Sequence, residues 1–367
     1  MILKTYQKYI IKQFSYTALQ ISLVFFCLVF ILNIFEEINY LKDSKVSFYY
    51  PLLLTLLNTP SVFFQIFPFI FLISTQFFFI KISDKKELPV YKNFGLSNLK
   101  ILSNIVALSF FLGILIVIIF YNFSSKFKFI YLEIKNKYSN DNKYLSVVTE
   151  NGLWIKDEVN DSINIINAEK LIGNLLINVS INQFDKDFDL IRTIRSNKVD
   201  VSNYSWKVFA AKISENNVKS EIADFLPFET HFDIKKVKSL FSNLSSLTLL
   251  ELNKLKNDYE ELGYSTTEIS IHFQKIVSFP IYLTVMTLFA SIIMLNIKHN
   301  KPKVFNLILG IMLSVIVYYV NFFSGTLAQN DTIPVGLSIW LPLIVLLIIS
   351  SIGTVSYTHL TLPTTPY

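Results

Sequence analysis

At 367 residues, 52% hydrophobic, 15% aromatic and 16% charged, the chain carries less charge than the roughly 25% of an ordinary soluble domain. Its mean hydropathy of +0.46 therefore excludes a soluble single domain and asks for apolar solvent as well as an apolar core. The net charge of +6 rests on lysine, with Arg192 and Arg195 the only arginines, which suits membrane topology and argues against nucleic-acid reading.

Six stretches free of Asp, Glu, Lys and Arg are long enough to cross a hydrocarbon core, which takes roughly 20 helical residues. They run approximately over Phe14–Phe35, Ser61–Ile80, Ile101–Asn122, Ile276–Ile297, Val304–Ser324 and Pro334–Thr354. The first is longer than the apolar core of a signal peptide, lacks a small-x-small cleavage site and reads as a retained anchor. Lysine fixes the orientation, because short lysine-bearing connections stay cytoplasmic. Lys4, Lys8 and Lys12 precede the first span; Lys81, Lys85, Lys86, Lys92 and Lys100 lie between the second and third; Lys298, Lys301 and Lys303 lie between the fourth and fifth. All three groups fall on one side of a six-span chain, so both termini are predicted to be cytoplasmic.

Residues 123–246, rich in Asn, Asp, Ser and Lys, then form a domain outside the cytoplasm, since long domains translocate largely regardless of charge. Runs at Leu145–Thr149, Gly152–Lys156, Ser162–Asn167, Asn174–Phe184, Phe188–Ile194 and Trp206–Ile213 are β-branched and aromatic. Turn residues such as Asn151-Gly152, Asn160-Asp161 and Asn216-Asn217 separate them, and the whole reads as an all-β sandwich or jelly roll with Trp154 and Trp206 in its core. Within 247–271, Leu250, Leu252, Leu255, Tyr259 and Leu262 recur at helical spacing up to Gly263, a connecting helix back to the membrane. The fold class is thus a polytopic α-helical membrane protein, 1–122 carrying three spans, 272–354 carrying three more, and the β domain between. Residues 355–367 depart from the Ile-, Phe-, Asn- and Lys-rich usage before them and read as a non-native tail of translated adapter sequence, with the natural C-terminus missing.

Catalytic and cofactor patterns do not emerge. The one cysteine, Cys27, and the scattered His231, His272, His299 and His359 make neither an intrachain disulfide framework nor a metal-ligand set. There is no GxxxxGK[ST] or GxGxxG loop to cradle phosphates and no GxSxG or HExxH motif, so the chain is read as no enzyme, with no cofactor of its own. The apolar windows also lack the ionisable groups through which ion-coupled transporters work. Energy for transport would have to come from a partner.

A cytoplasmic partner needs a handle, and Asp84–Asn98 has the makings of one. Pro89 suits the first turn of a short helix, Leu88, Tyr91 and Phe94 give it an apolar surface, Gly95 can end it in a left-handed conformation, and Ser97 or Asn98 can cap the third span. A solvated interfacial turn is the plainer alternative.

At this segment the chain resembles the permease family of the lipopolysaccharide export system, the paired LptF and LptG proteins of Gram-negative bacteria. The resemblance lies in Glu87-Leu88 followed by Gly95-Leu96-Ser97, Pro60 and Pro68 at the start of the second span, Leu247–Leu252 with Gly263 downstream, and Gly336 to Trp340-Leu341-Pro342 opening the last span. Phe35-Glu36-Glu37 and Gly152–Lys156 look more like the G member. The resemblance implies an inner-membrane heterodimer of two such permeases that extracts lipopolysaccharide and passes it to a periplasmic β jelly-roll bridge. It also implies a cytoplasmic ABC ATPase dimer that hydrolyses the ATP and docks on Glu87, Leu88, Tyr91, Phe94 and Gly95. Some members place a lysine in the outer end of the first span to meet substrate phosphates; here Asn33 and Ile34 stand there, and Lys42 and Lys45 are the only lysines in the short outer connections, so these two are expected to receive the anionic head group, the plainer alternative being that they only neutralise Glu36, Glu37 and Asp43 in solvent. The alternative function is a membrane-anchored scaffold whose outer β domain recruits envelope proteins without transport.

Overall fold

The computed structural model describes residues 4–42, 47, 49–137, 153–159, 162–215, 221–234, 237, 243–261, 265–295 and 303–359. It divides into two compact units, Met1–Lys128 with Thr266–Tyr367, and Phe129–Ser265.

Among the described residues, the helical unit contains six helices long and apolar enough to span a membrane, one for each apolar window. Helix α1 covers Thr5–Tyr40, α2 Tyr49–Asp84 and the short α3 Glu87–Asn93; α4, Asn98–Leu115, runs through a π-helical stretch, Ile116–Tyr121, into α5, Asn122–Lys137. The helices outrun the apolar windows because Lys, Glu and Gln are themselves good helix formers, so the backbone ladder does not stop where apolarity does. After the β unit and its own helix α6, Leu249–Glu261, come α7, Thr267–Leu295, α8, Lys303–Gln329, and α9, Val335–His359. Helix α9 thus continues into residues 355–359, while 360–367 lie outside the described residues.

Helix α2 is the centre of this unit: 67% of its apolar window is buried, against 56% for α7 and 17% each for α1 and α8. Phe14 of α1 meets Phe71 and Phe78 edge-on, and Phe64 of α2 stacks on Phe279 of α7 at 4.4 Å. Aromatic pairs of this kind add about 0.5–1.5 kcal/mol each beyond their burial. Helix α4 approaches α7 where a side chain is missing, since a Cβ on Gly113 would lie 2.7 Å from Pro280 Cα. Small hydroxyls finish that contact, with Thr287 Oγ1 donating to Ser109 Oγ at 2.9 Å. Shape and short polar links of this sort hold helices together where lipid removes the usual hydrophobic gain.

Among the described residues, the β unit is a six-stranded antiparallel sheet in the order β1 (Leu153–Val159), β2 (Ser162–Ile172), β3 (Leu175–Phe184), β4 (Leu190–Asp200), β5 (Ser205–Glu215), β6 (Glu221–Glu229). Ile155, Ile166, Ile181 and Ile194 stand opposite one another across four strands, all buried. Alternation then decides the fate of the two expected core tryptophans. Trp206 is fully buried, its Nε1 donating to the Phe232 carbonyl at 2.6 Å. Trp154 is 55% exposed, because its neighbours Leu153 and Ile155 take the inner face and period two sends it outward, so its expected core position is corrected. The expected strand at Leu145–Thr149 and the turns at Asn151-Gly152, Asn160-Asp161 and Asn216-Asn217 lie outside the described residues. Strand β6 had no counterpart among the expected runs.

Candidate functional site

At one end of the helical unit, the turn from α2 to α3 is made by Lys86 in a left-handed conformation, φ 53°. Pro89 falls in the first turn of α3, Gly95 follows at φ +73°, and Ser97 caps α4 by accepting from the Lys100 amide at 3.4 Å. The expected helix, stop and cap are therefore all in place. No residue of α3 is buried. Leu88 and Tyr91 turn partly inward, while Val90 and Phe94, one helical turn apart, point out, Phe94 with 82% of its surface exposed. Val90 was not among the expected docking residues, because its position relative to the bundle follows from the left-handed turn at Lys86 and not from hydropathy.

Glu87 is held from two sides. Tyr9 of α1 donates its hydroxyl to Glu87 Oε1 at 2.8 Å, Tyr91 donates to Oε2 at 3.3 Å, and Lys85 Nζ lies 3.9 Å away. Burial first, and then the Glu87 carboxylate, raise the Tyr91 phenol above its usual value, so it stays protonated and remains a donor throughout the neutral range. Three residues before Glu87, Asp84 pairs with Lys303 at the start of α8. A short, polar-anchored helix with an exposed apolar ridge can bind a protein groove by packing.

The other end of the unit holds a polar network. Asn33 of α1, 4% exposed, accepts on Oδ1 from Asn58 Nδ2 of α2 at 3.0 Å, and Asn58 Oδ1 accepts from Lys128 Nζ of α5 at 2.7 Å. Glu37, one turn beyond Asn33 on α1, is also fully buried. On α7, His272 shares a hydrogen bond of 3.3 Å with Tyr121, and Lys275 packs over Gly325 of α8. The apolar windows remain free of such groups; the ionisable side chains lie just beyond them, on helix extensions that hydropathy does not mark. Lys42, exposed past the end of α1, is not part of this network, and Lys45 lies outside the described residues. Among the described residues no cluster of three or more His, Cys, Asp or Glu could hold a metal ion.

In the β unit, Asp157 of β1 is almost fully buried and accepts the Thr230 hydroxyl at 2.5 Å, the His231 amide at 3.2 Å and a bond of 2.9 Å shared with His231 Nδ1. The chain after β6 is thereby tied to the first strand. Beside Asp157 on the inner face, Asn164 accepts from Gln183 at 2.6 Å and Gln183 accepts from Arg192, so a polar rung runs across β1 to β4 two residues from the isoleucine row.

No individually curated protein matches the chain. The family model described as lipopolysaccharide export system permease LptF/LptG matches residues 8–355. That match runs through all six spans, α3 and the β unit, so this membrane protein belongs to the LptF/LptG family of lipopolysaccharide export permeases, components of a transporter and not catalytic enzymes.

Proposed function

We propose that this chain is the transmembrane permease subunit of an ATP-driven lipopolysaccharide exporter in the Gram-negative inner membrane, working beside a second permease of its family. Both termini and α3 face the cytoplasm, where α3 docks an ABC ATPase that supplies the energy, ATP being bound and hydrolysed there and not in this chain. The β unit faces the periplasm and passes the glycolipid to a β-sheet bridge. The observation that carries the reading is α3 itself. Its ridge of Val90 and Phe94 is exposed while Glu87 is fixed from behind by two tyrosines, the arrangement of a handle rather than of a loose solvated turn. Docking centres on Glu87, Leu88, Tyr91, Phe94 and Gly95, with Val90 added.

The lipid's anionic head group is received at the opposite end, by Lys42 and Lys45 beyond the first span. Lysine near a membrane surface binds phosphate by charge-assisted hydrogen bonds that gain from the lower dielectric. Crosslinking from photoreactive residues at both positions to the lipid, with export by the Lys42→Ala, Lys45→Ala double variant, tests this assignment; normal export without an adduct removes it.

Truncating a buried aromatic anchor costs about 2 kcal/mol or more of binding, so Phe94→Ala should release the ATPase while the permease still inserts. Co-purification of the ATPase with wild type and variant decides. Equal retention by both overturns the docking role of Phe94, and no ATPase on the wild type leaves the scaffold function instead.

A further inference from the structure

The alternation that turns Trp154 outward governs a whole row of the sheet. Trp154, Asn167, Ser180, Arg195, Lys212 and Ile222 stand opposite one another in succession from β1 to β6. They are the chain neighbours of the buried isoleucine row and take the other face. Trp154 is 55% and Ile222 74% exposed, and Arg195 and Lys212 between them are exposed as well.

Two cations thus face each other across β4 and β5. Like charges directly opposite on neighbouring strands destabilise a sheet, and among the described residues neither Arg195 nor Lys212 has an ion pair or a side-chain hydrogen bond to offset that. Their cross-strand neighbours in the row, Ser180 and Ile222, are neutral, as is the opposed pair Thr193 and Ser214 of the next outward row. The nearest acid by register, Asp224, lies two residues along β6 from Ile222 and pairs with neither cation. Arg195 is also singular in composition. In a chain that otherwise uses lysine, the one other arginine, Arg192, donates its Nε to Gln183 on the inner face. A guanidinium grips phosphate by two parallel hydrogen bonds, which an ammonium cannot do.

An anion placed on Arg195 and Lys212 turns their repulsion into a shared attraction. The hydroxyls of Ser180, Thr193 and Ser214 beside them match the hydroxyls of a sugar. The Trp154 ring, three strands or about 14 Å along the row, offers an apolar, electron-rich face to the C–H side of a sugar ring. The inner face is filled by its own side chains, Trp206 and Phe232 among them, which leaves the outward row open to a ligand. We infer that Arg195 and Lys212 bind a phosphate on the saccharide of the carried glycolipid, with Trp154 stacked on a sugar farther along it. The inference rests on the permease function and the periplasmic β unit proposed above and deepens them. An acidic protein would meet the two cations, but hydroxyl, amide and one separate aromatic ring spread along a row are the chemistry of a sugar site.

The test uses the full-length permease in lipid nanodiscs. The probe is the phosphorylated core oligosaccharide of lipopolysaccharide, freed of its acyl chains and titrated calorimetrically. Wild type should bind it, and far more weakly after phosphatase treatment. Arg195→Gln and Lys212→Gln should each raise Kd about ten-fold or more, the loss of a charge-assisted contact, and Arg195→Lys should fall between. Trp154→Ala should weaken the phosphorylated and the dephosphorylated probe by the same factor. Lys254→Gln on α6, an exposed position with the same change of charge, should leave Kd unaltered. The replaced side chains are exposed, and matched unfolding midpoints confirm that the variants fold. Equal Kd for wild type and Arg195→Gln overturns the inference. So does an equal loss in Lys254→Gln, which would reduce the effect to net charge, and so does displacement of the probe by polyglutamate at equal anion concentration, which would make the row a site for an acidic protein. Export in cells is scored alongside. No glycolipid export with the wild-type chain overturns the permease function itself, whereas normal export with no probe binding overturns this site alone.

Discussion

Gln76 of α2 occupies the space that Gly310 of α8 leaves by having no side chain. A Cβ built on Gly310 would fall on the Gln76 amide nitrogen, which donates to the Asn306 carbonyl at 3.0 Å and is fully buried. Where α2 crosses α8, one long polar side chain thus lies in the groove of a glycine, beside the apolar contact of Leu72 and Ile73 with Val317.

Gly310→Ala should destabilise the helical unit by about 1–3 kcal/mol, the usual cost of overpacking, because Gln76 can retreat only by giving up its bond. Adding Gln76→Ala should recover part of that loss. Thermal unfolding of the four species in detergent measures the cycle, and strictly additive effects would show that the two residues do not compete for the same space.

Lys128→Met removes the charged donor from Asn58 Oδ1, a loss of about 1.5–3 kcal/mol for a hydrogen bond to a charged group. Asn33→Leu should be worse than its size suggests, since Asn58 Nδ2 then loses its acceptor as well. Unfolding midpoints rank the two, and a Lys128→Met variant as stable as wild type would remove the network from the forces holding α5 to α2.

A Cβ added at Gly95 would meet no atom within 4 Å, yet the residue's φ is +73°. Gly95→Ala therefore costs only backbone strain, about 1–2 kcal/mol, which weakens ATPase retention roughly five- to thirty-fold if docking requires this turn. Gly95→Asn should lose less, because asparagine tolerates the left-handed region. Equal behaviour of the two variants would place the effect elsewhere than in backbone conformation.

Asp157→Ala leaves the Thr230 hydroxyl and the His231 amide without their shared acceptor, at about 1–3 kcal/mol for the buried Thr230 hydroxyl left unsatisfied. Amide exchange along β1 should accelerate relative to β3 in the same full-length protein. Unaltered protection of Leu153–Val159 would show that the tie does not hold the first strand.

The six spans could be read because lipid demands a long uncharged window and the chain supplies six of them. The turn at Gly95 and the cap at Ser97 were legible because each rests on local stereochemistry. Strand β6 was missed for an equally local reason: Glu221, Asp224, Pro227 and Glu229 leave it mostly exposed, and an edge strand need not look apolar. Asn33 and Asn58 are unremarkable polar residues in a hydropathy profile, and nothing about a separation of 25 residues announces their bond. Tyr9 and Glu87, 78 residues apart, are likewise joined only by the packing of α1 beside the α2–α3 turn.

The π-helical stretch at Ile116–Tyr121 acts as a phase adjuster in the third span. An α-helix advances about 100° per residue, and a wide turn takes up one extra residue without rotating the helix beyond it. Gly113, before the stretch, must meet Pro280, and Lys128, after it, must meet Asn58; the two are in register for a helix one residue shorter than the chain provides. Deleting one residue between 116 and 121 should therefore turn the stretch into ordinary α-helix and keep both contacts. Tightening the same stretch to ordinary α geometry at full length would instead swing Lys128 by about a quarter turn, away from its amide partner.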